Sequence, residues 1–165
     1  MIWGTFIQDD SFVSVYKKML IGEKLYVYCL GILSIGLCCL NSFRNIHNDF
    51  GILFCFIFGH LLSSTLHEWL HIKCMRIFGA EKILVDKTLF KISVITETPL
   101  IGWRLIVTAV SGPVICGAFG FLILLVPIGN SIWVDLCGVL FCSHIINLLP
   151  FFGDGKMIIK GILTI

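Results

Sequence analysis

This sequence contains few charged residues, which limits the kinds of protein it can encode. Asp, Glu, Lys and Arg together make up 13% of its 165 residues, whereas soluble globular domains have about 25%. The formal net charge is only +2, so the chain lacks the concentrated positive charge by which proteins bind nucleic acid. We therefore expect no nucleic-acid partner.

The sequence also lacks the paired cysteines of a disulfide-stabilised secreted domain. None of its eight cysteines forms a Cys-x-x-Cys pair, and most lie within apolar runs. Free cysteine in such a run behaves as a small hydrophobic residue. The cysteine pattern therefore does not predict a disulfide framework.

Long apolar runs are abundant in this chain, of which 58% is hydrophobic. Four runs are long enough, or nearly so, to cross a bilayer; they cover residues 25–40, 50–75, 101–126 and 132–149. These runs predict an all-α polytopic membrane protein with about four transmembrane helices. The length favours one membrane-embedded domain, 1–165. We expect an N-terminal interfacial segment at 1–24 and a transmembrane core at 25–165.

Residues 79–100 differ from the apolar runs because charges alternate there with β-branched residues. Lys82–Val85 and Phe90–Thr96 predict a small β-hairpin between the second and third transmembrane helices. The third apolar run is itself interrupted by Ser111-Gly112-Pro113, which predicts a kink in that helix.

Basic residues are concentrated in alternate connections between the runs. They precede the first run, lie between the second and third, and follow the fourth; examples are Lys17, Lys18, Lys82, Lys87, Lys156 and Lys160. The positive-inside rule then predicts a multi-pass cell-membrane protein with both termini and the hairpin in the cytoplasm. His67, near the end of the second run, and Asp154, just after the fourth, fall on that same side.

The most informative motif is His67-Glu68-Trp69-Leu70-His71, near the end of the second run. Two histidines at i and i+4 lie on one face of a helix and can bind the same zinc ion. Neutral imidazole leaves the charge of the metal intact, and the intervening Glu68 can take a proton from a metal-activated water. Ionisable residues within a membrane segment are costly and usually functional. The motif therefore predicts metal-assisted hydrolysis, with an active-site opening to the cytoplasm.

A catalytic zinc ion needs a third protein ligand. Asp154 is favoured because Pro150 can end the preceding helix and Gly155 can let the backbone turn. Spacing alone leaves other candidates open, namely Glu81, Glu97, His60, Cys74 and His144. We expect His60 and His144 to have structural or supporting roles, since polar residues in membrane segments usually face the bundle interior.

The sequence resembles the site-2 protease family of intramembrane zinc metalloproteases. That family has H-E-x-x-H on one membrane helix, Gly-Pro in the next, and then N-x-x-P followed closely by D-G. The corresponding residues are His67 to His71, Gly112-Pro113, Asn147 to Pro150, and Asp154-Gly155. The gap from Asn147 to Asp154 is one residue shorter than is usual in the family.

The resemblance implies one Zn²⁺ per chain bound by His67, His71 and Asp154, with Glu68 as the catalytic base. It also implies that Asn147 helps to hold the substrate, and that the hairpin pairs with an unwound substrate. The predicted protein is a zinc-dependent intramembrane endopeptidase that lies in the lipid bilayer and cleaves a membrane-embedded or membrane-proximal protein or peptide.

One alternative is an inactive zinc-containing protein that binds a peptide or confers immunity to it. A metal transporter is a weaker alternative, because a transport path needs polar residues along several spans and the first and third runs offer few.

Overall fold

A computed structural model describes residues 3–7, 9–23, 28, 29, 32, 51, 54–87, 92–126 and 131–165. In chain order the elements are β1 (Trp3–Phe6), α1 (Phe12–Gly22), a π-helical segment (Cys55–Leu61), α2 (Leu62–Ile77), β2 (Ile83–Lys87), β3 (Ile92–Thr96), α3 (Gly102–Leu125), α4 (Ile132–Ser143), a 3-10 helix (His144–Leu148) and α5 (Gly153–Ile162). The π-helical segment continues directly into α2.

Two helical stretches in the described part of the chain are long and apolar enough to cross a membrane. One is α3, with 24 residues, which coincides with the predicted third span. The other is the 31-residue stretch Ile132–Ile162, which contains the predicted fourth span. Most of the predicted first span lies outside the described residues. The described residues of the second are helical, and its α-helical segment α2 has 16 residues.

The Ile132–Ile162 stretch is not a single α-helix, although helical residues cover the predicted fourth span from Ile132 to Leu148. Helix α4 ends at Ser143 and passes into the 3-10 helix. A turn around Pro150 then separates the 3-10 helix from α5, because proline cannot donate a backbone hydrogen bond. The sequence analysis predicted no helix after that turn, but the structure folds these residues as α5.

The predicted hairpin is present as β2 and β3, which pair antiparallel with Val85 opposite Val94. The structure adds a third strand that the sequence did not predict. Strand β1 pairs antiparallel with β2, which gives the order β1-β2-β3. Strand β3 therefore lies at one edge of the sheet within the described residues.

Helix α1 packs against α2. Val15 and Met19 of α1 share a buried cluster with Ile72 of α2 and Ile83 of β2. Nearby, the Lys73 ammonium lies 2.9 Å from a carboxylate oxygen of Asp10, and this hydrogen bond lowers the pKa of Asp10 below its ordinary value. The N-terminal segment is thus fixed to the helix that carries the His-Glu-x-x-His motif. The membrane-interface role of this segment stays a prediction.

Helix α5 lies against the first half of α3. The backbone N–H of Gly102, at the start of α3, donates a 2.9 Å hydrogen bond to the Thr164 hydroxyl just beyond α5. A side chain at Gly161 would meet the Gly102 carbonyl oxygen at 3.0 Å, so this glycine permits the close approach. The contact between α5 and α3 places the first turn of α5, which includes Asp154, beside α2.

Candidate metal centre

Two buried histidines on α2 form the centre of the site. His67 is 4% exposed and His71 is 6% exposed, and their Nε2 atoms lie 3.0 Å apart. One helical turn separates them, as the i and i+4 spacing predicts. Both imidazoles therefore present a nitrogen to the same point.

Asp154 contributes the third polar group from the first turn of α5. Its Oδ2 atom lies 3.2 Å from Nε2 of His67, and its Oδ1 atom lies 3.4 Å from Nε2 of His71. The three side chains form a cluster that can hold a metal ion, with the potential ligand atoms all within 4.8 Å of one another. The described structure thus brings together the two motif histidines and the acid favoured from the sequence.

The hydrogen bonding of His71 fits metal coordination. Its Nδ1 atom lies 2.7 Å from the Thr108 carbonyl oxygen, which can only accept, so Nδ1 carries the proton. The Nε2 lone pair of a neutral His71 then faces the Asp154 carboxylate. Two electron-pair donors this close repel each other unless a cation lies between them. A carbonyl that orients the ring in this way is the usual partner of a metal-binding histidine.

The spacing of the three donors is also compatible with a metal ion. Zinc binds histidine nitrogen and carboxylate oxygen at about 2.0–2.2 Å in a tetrahedron, so neighbouring ligand atoms stand about 3.3 Å apart. The separations of 3.0, 3.2 and 3.4 Å lie close to this value. The cluster fits a small divalent cation without a large rearrangement.

Gly112 of α3 makes room for the two rings. A Cβ atom at this position would lie 2.9 Å from Cε1 and Nε2 of His71 and 3.0 Å from Nδ1 of His67. The backbone of α3 therefore passes directly against the cluster. Although Pro113 follows, α3 continues through it to Leu125, and the predicted kink stays a prediction.

Glu68 lies beside the cluster on the wall of a cavity of about 320 Å³. His71 and Asp154 line the same cavity, together with Lys156 at the start of α5. The rest of the lining is largely apolar and includes Met75 and Leu105. The arrangement gives a substrate-sized space direct access to two candidate ligands and to a further carboxylate.

The other acids considered as ligands lie elsewhere. Glu97 forms an exposed ion pair with Lys82, with 3.0 Å between its Oε2 atom and the lysine Nζ. Glu81 is exposed beside β2. Neither belongs to the His67, His71 and Asp154 cluster found among the described residues.

The remaining polar candidates have different surroundings. The Nε2 atom of His60 lies 3.4 Å from the Oε2 atom of Glu23. Cys74 is half-buried on α2 and lies outside the cluster. Asn147 is half-buried in the 3-10 helix, and it is not among the described residues that line the cavity. Its substrate-binding role stays a prediction.

His144 contacts the cluster in a way that the sequence did not indicate: its ring stacks on that of His67, with centroids 4.7 Å apart.

Comparisons with known proteins returned no similar protein. No protein-family model, no curated protein and no solved structure matches this chain. The function must therefore be inferred from the cluster, the cavity and the sequence motif.

Proposed function

We propose that this protein is a zinc-dependent intramembrane endopeptidase similar to the site-2 proteases. It hydrolyses a peptide bond of a membrane-embedded or membrane-proximal protein or peptide. The observation that carries the proposal is the convergence of His67, His71 and Asp154, two of which line one cavity together with Glu68. Hydrolytic zinc sites have this composition, with three protein ligands, an open position and an adjacent base.

The donor set favours zinc. Two imidazole nitrogens and one carboxylate are the ligands of many catalytic zinc sites, whereas magnesium and calcium prefer oxygen ligands alone. When bound, zinc supplies Lewis acidity and lowers the pKa of a water nucleophile to about 7. His67, His71 and Asp154 would hold the ion, and the hydrogen bond to the Thr108 carbonyl oxygen would keep the His71 ring in its binding orientation.

Glu68 acts as the general base. It follows His67 on α2, so its side chain is rotated about 100° around the helix from that ligand and lines the cavity. Its carboxylate accepts a proton from the attacking water as the new carbon–oxygen bond forms. It then delivers that proton to the leaving amine nitrogen as the carbon–nitrogen bond breaks.

The sheet edge provides a place for the substrate backbone. Val94 of β3 lines the cavity that contains Glu68 and His71, and β3 has no second partner strand among the described residues. An extended peptide can add to such an edge through backbone hydrogen bonds. Because the peptide groups of a helix are bonded internally, unwinding along β3 would expose the bond to be cleaved.

The surroundings of the cavity match a membrane substrate. Apolar side chains such as Met75 and Met157 border it, and methionine adapts to apolar side chains of varied shape. Many apolar side chains of α3 and α4 are exposed; examples are Val114, Phe121, Leu125 and Ile132. Lipid contact would account for this exposure, as expected for spanning helices.

The test is to replace Glu68 by Gln and to compare zinc content with peptide cleavage. The purified variant should keep zinc near the wild-type level and lose cleavage of single-span model peptides reconstituted with it in phospholipid vesicles. Glu97→Gln is the matched control, because it changes an exposed acid outside the cluster and should keep both properties. Wild-type cleavage by the Glu68→Gln protein would contradict the mechanism. Zinc binding without any cleavage by the wild-type protein would favour the inactive peptide-binding alternative.

A further inference from the structure

The two histidines of the cluster are oriented by different means. The Nδ1–H of His71 donates to the Thr108 carbonyl oxygen. Nδ1 of His67 is buried and has no hydrogen-bond partner among the described residues. A metal-binding histidine almost always donates its second ring N–H to a fixed acceptor. The His67 ring must therefore be held by some other contact.

The face of His144 supplies that contact. The two rings are nearly parallel, with an interplanar angle of 26° and centroids 4.7 Å apart. Close to His67, the backbone at Gly112 leaves space for no more than a hydrogen, since a Cβ there would lie 3.0 Å from Nδ1. Rotation of the His67 ring about its χ2 angle would push it into one neighbour or the other.

His144 is itself fixed through a chain of hydrogen bonds to the backbone before α2. The Ser63 hydroxyl donates to the His60 carbonyl oxygen at 3.0 Å. A hydroxyl has a single hydrogen, so the Ser63 oxygen accepts the 3.1 Å hydrogen bond from Nε2–H of His144. Ser63 is only 1% exposed. This network holds the imidazole so that it presents its flat face, and not a nitrogen, to His67.

We propose that His144 is a positioning residue for the metal centre, which sets the ring plane of His67 by stacking while Ser63 anchors it. The inference rests on the proposed metal site and adds a residue that neither the His-Glu-x-x-His motif nor the three-residue cluster contains. It predicts that the geometry of the bound metal depends on a side chain that does not coordinate it.

The test measures metal binding and not peptide cleavage. Wild-type protein and variants, purified in detergent, are titrated with Zn²⁺ and Co²⁺, and the visible absorption of bound Co²⁺ reports the ligand geometry. His144→Ala should weaken metal affinity by about 10 to 100-fold, the usual effect of losing a residue that supports a ligand. It should also alter the Co²⁺ spectrum at saturation, which a general loss of stability would not do. His144→Phe retains a flat ring but loses the hydrogen bond to Ser63, so it should recover only part of the affinity.

Phe119→Ala is the matched control, since it removes an aromatic ring that packs on Phe141 and not on a histidine of the cluster. It should leave the Co²⁺ spectrum unchanged. Wild-type affinity together with an unchanged spectrum in His144→Ala would overturn the inference. If that variant does not fold, Ser63→Ala decides, because releasing His144 should alter the spectrum and an unchanged spectrum would refute the role. A wild-type protein that binds neither metal would instead refute the proposed function.

Discussion

The substitution Gly112→Ala should damage the metal site although it replaces none of the proposed ligands. The added Cβ would lie 2.9 Å from Cε1 and Nε2 of His71 and 3.0 Å from Nδ1 of His67. Ordinary contacts between carbon atoms are about 3.5–4.0 Å. Relief of this crowding requires the His71 ring to move by at least about 0.5 Å, or α3 to move away from α2.

The size of the effect follows from comparing that displacement with the tolerance of a metal site. Ligand distances in such sites vary by about 0.2 Å, so a 0.5 Å shift takes His71 out of position. We expect metal affinity to fall by at least about 10 to 100-fold, or about 1.4–2.8 kcal/mol. Alanine would favour helix formation in α3 by about 0.5–1 kcal/mol relative to glycine. The variant should therefore remain folded.

The assay combines zinc titration with thermal unfolding of the metal-free protein. Gly59→Ala serves as the control, because a Cβ there would lie 2.6 Å from a terminal methyl of Leu140 and 3.3 Å from Cys137, away from the ligands. It should disturb packing but bind zinc nearly as the wild type does. Equal zinc affinity in Gly112→Ala and wild type would refute the close approach of α3 to the histidines.

Three further predictions concern the third ligand, the topology and the N-terminal contact. Asp154→Ala should lose both zinc and cleavage, whereas Glu97→Ala should retain zinc; the reverse pattern in zinc content would move the ligand into the hairpin. In a variant whose eight native cysteines are replaced, Lys87→Cys should react with a thiol reagent only when the reagent reaches the cytoplasm. Labelling from outside would contradict the predicted topology. The lowered pKa of Asp10 means that its ion pair with Lys73 stabilises the fold above about pH 4, the unfolded value. That contribution should disappear as pH falls through the lower folded value, and an Asp10→Asn protein should lack this part of the acid dependence of unfolding.

The local features of the site could be read from the sequence. The i and i+4 spacing of His67 and His71 fixes their common helix face wherever α2 lies. The strands β2 and β3 were also predicted, since charges and β-branched residues alternate over a short range and neighbouring strands usually pair. These predictions depend only on residues close together in the chain.

The missed elements depend on contacts between distant parts of the chain. Strand β1 is four residues long and includes Gly4, so its own pattern is weak; its pairing with β2 defines it. Helix α5 begins with Gly153-Asp154-Gly155, and these residue types disfavour helix interiors. Its packing against α3 outweighs that preference. As a result, the ligand position of Asp154 was favoured from the sequence, but the helix that carries it was not predicted.

The stacking of His144 on His67 had no specific signal in the sequence. The two residues belong to different helical segments, and the register between those segments is set by how α2, α3 and the 3-10 helix pack. The only available indication was a histidine within an apolar run, which marks a residue facing the protein interior. Sequence reasoning therefore reached a supporting role for His144, and the structure supplies its partner.

X-ray absorption at the zinc edge tests most directly whether His67, His71 and Asp154 bind zinc. It is measured on the purified wild-type protein, and the metal content of the same sample is determined. The proposed site requires one zinc ion per chain with nitrogen and oxygen neighbours at about 2.0–2.2 Å and an imidazole signature from two histidines. The same measurement on Asp154→Ala should show loss of bound zinc. A sulfur neighbour at about 2.3 Å would place zinc on the cysteines instead of the cluster. That result, or a wild-type protein that binds no zinc, would contradict the assignment of His67, His71 and Asp154 as the metal centre.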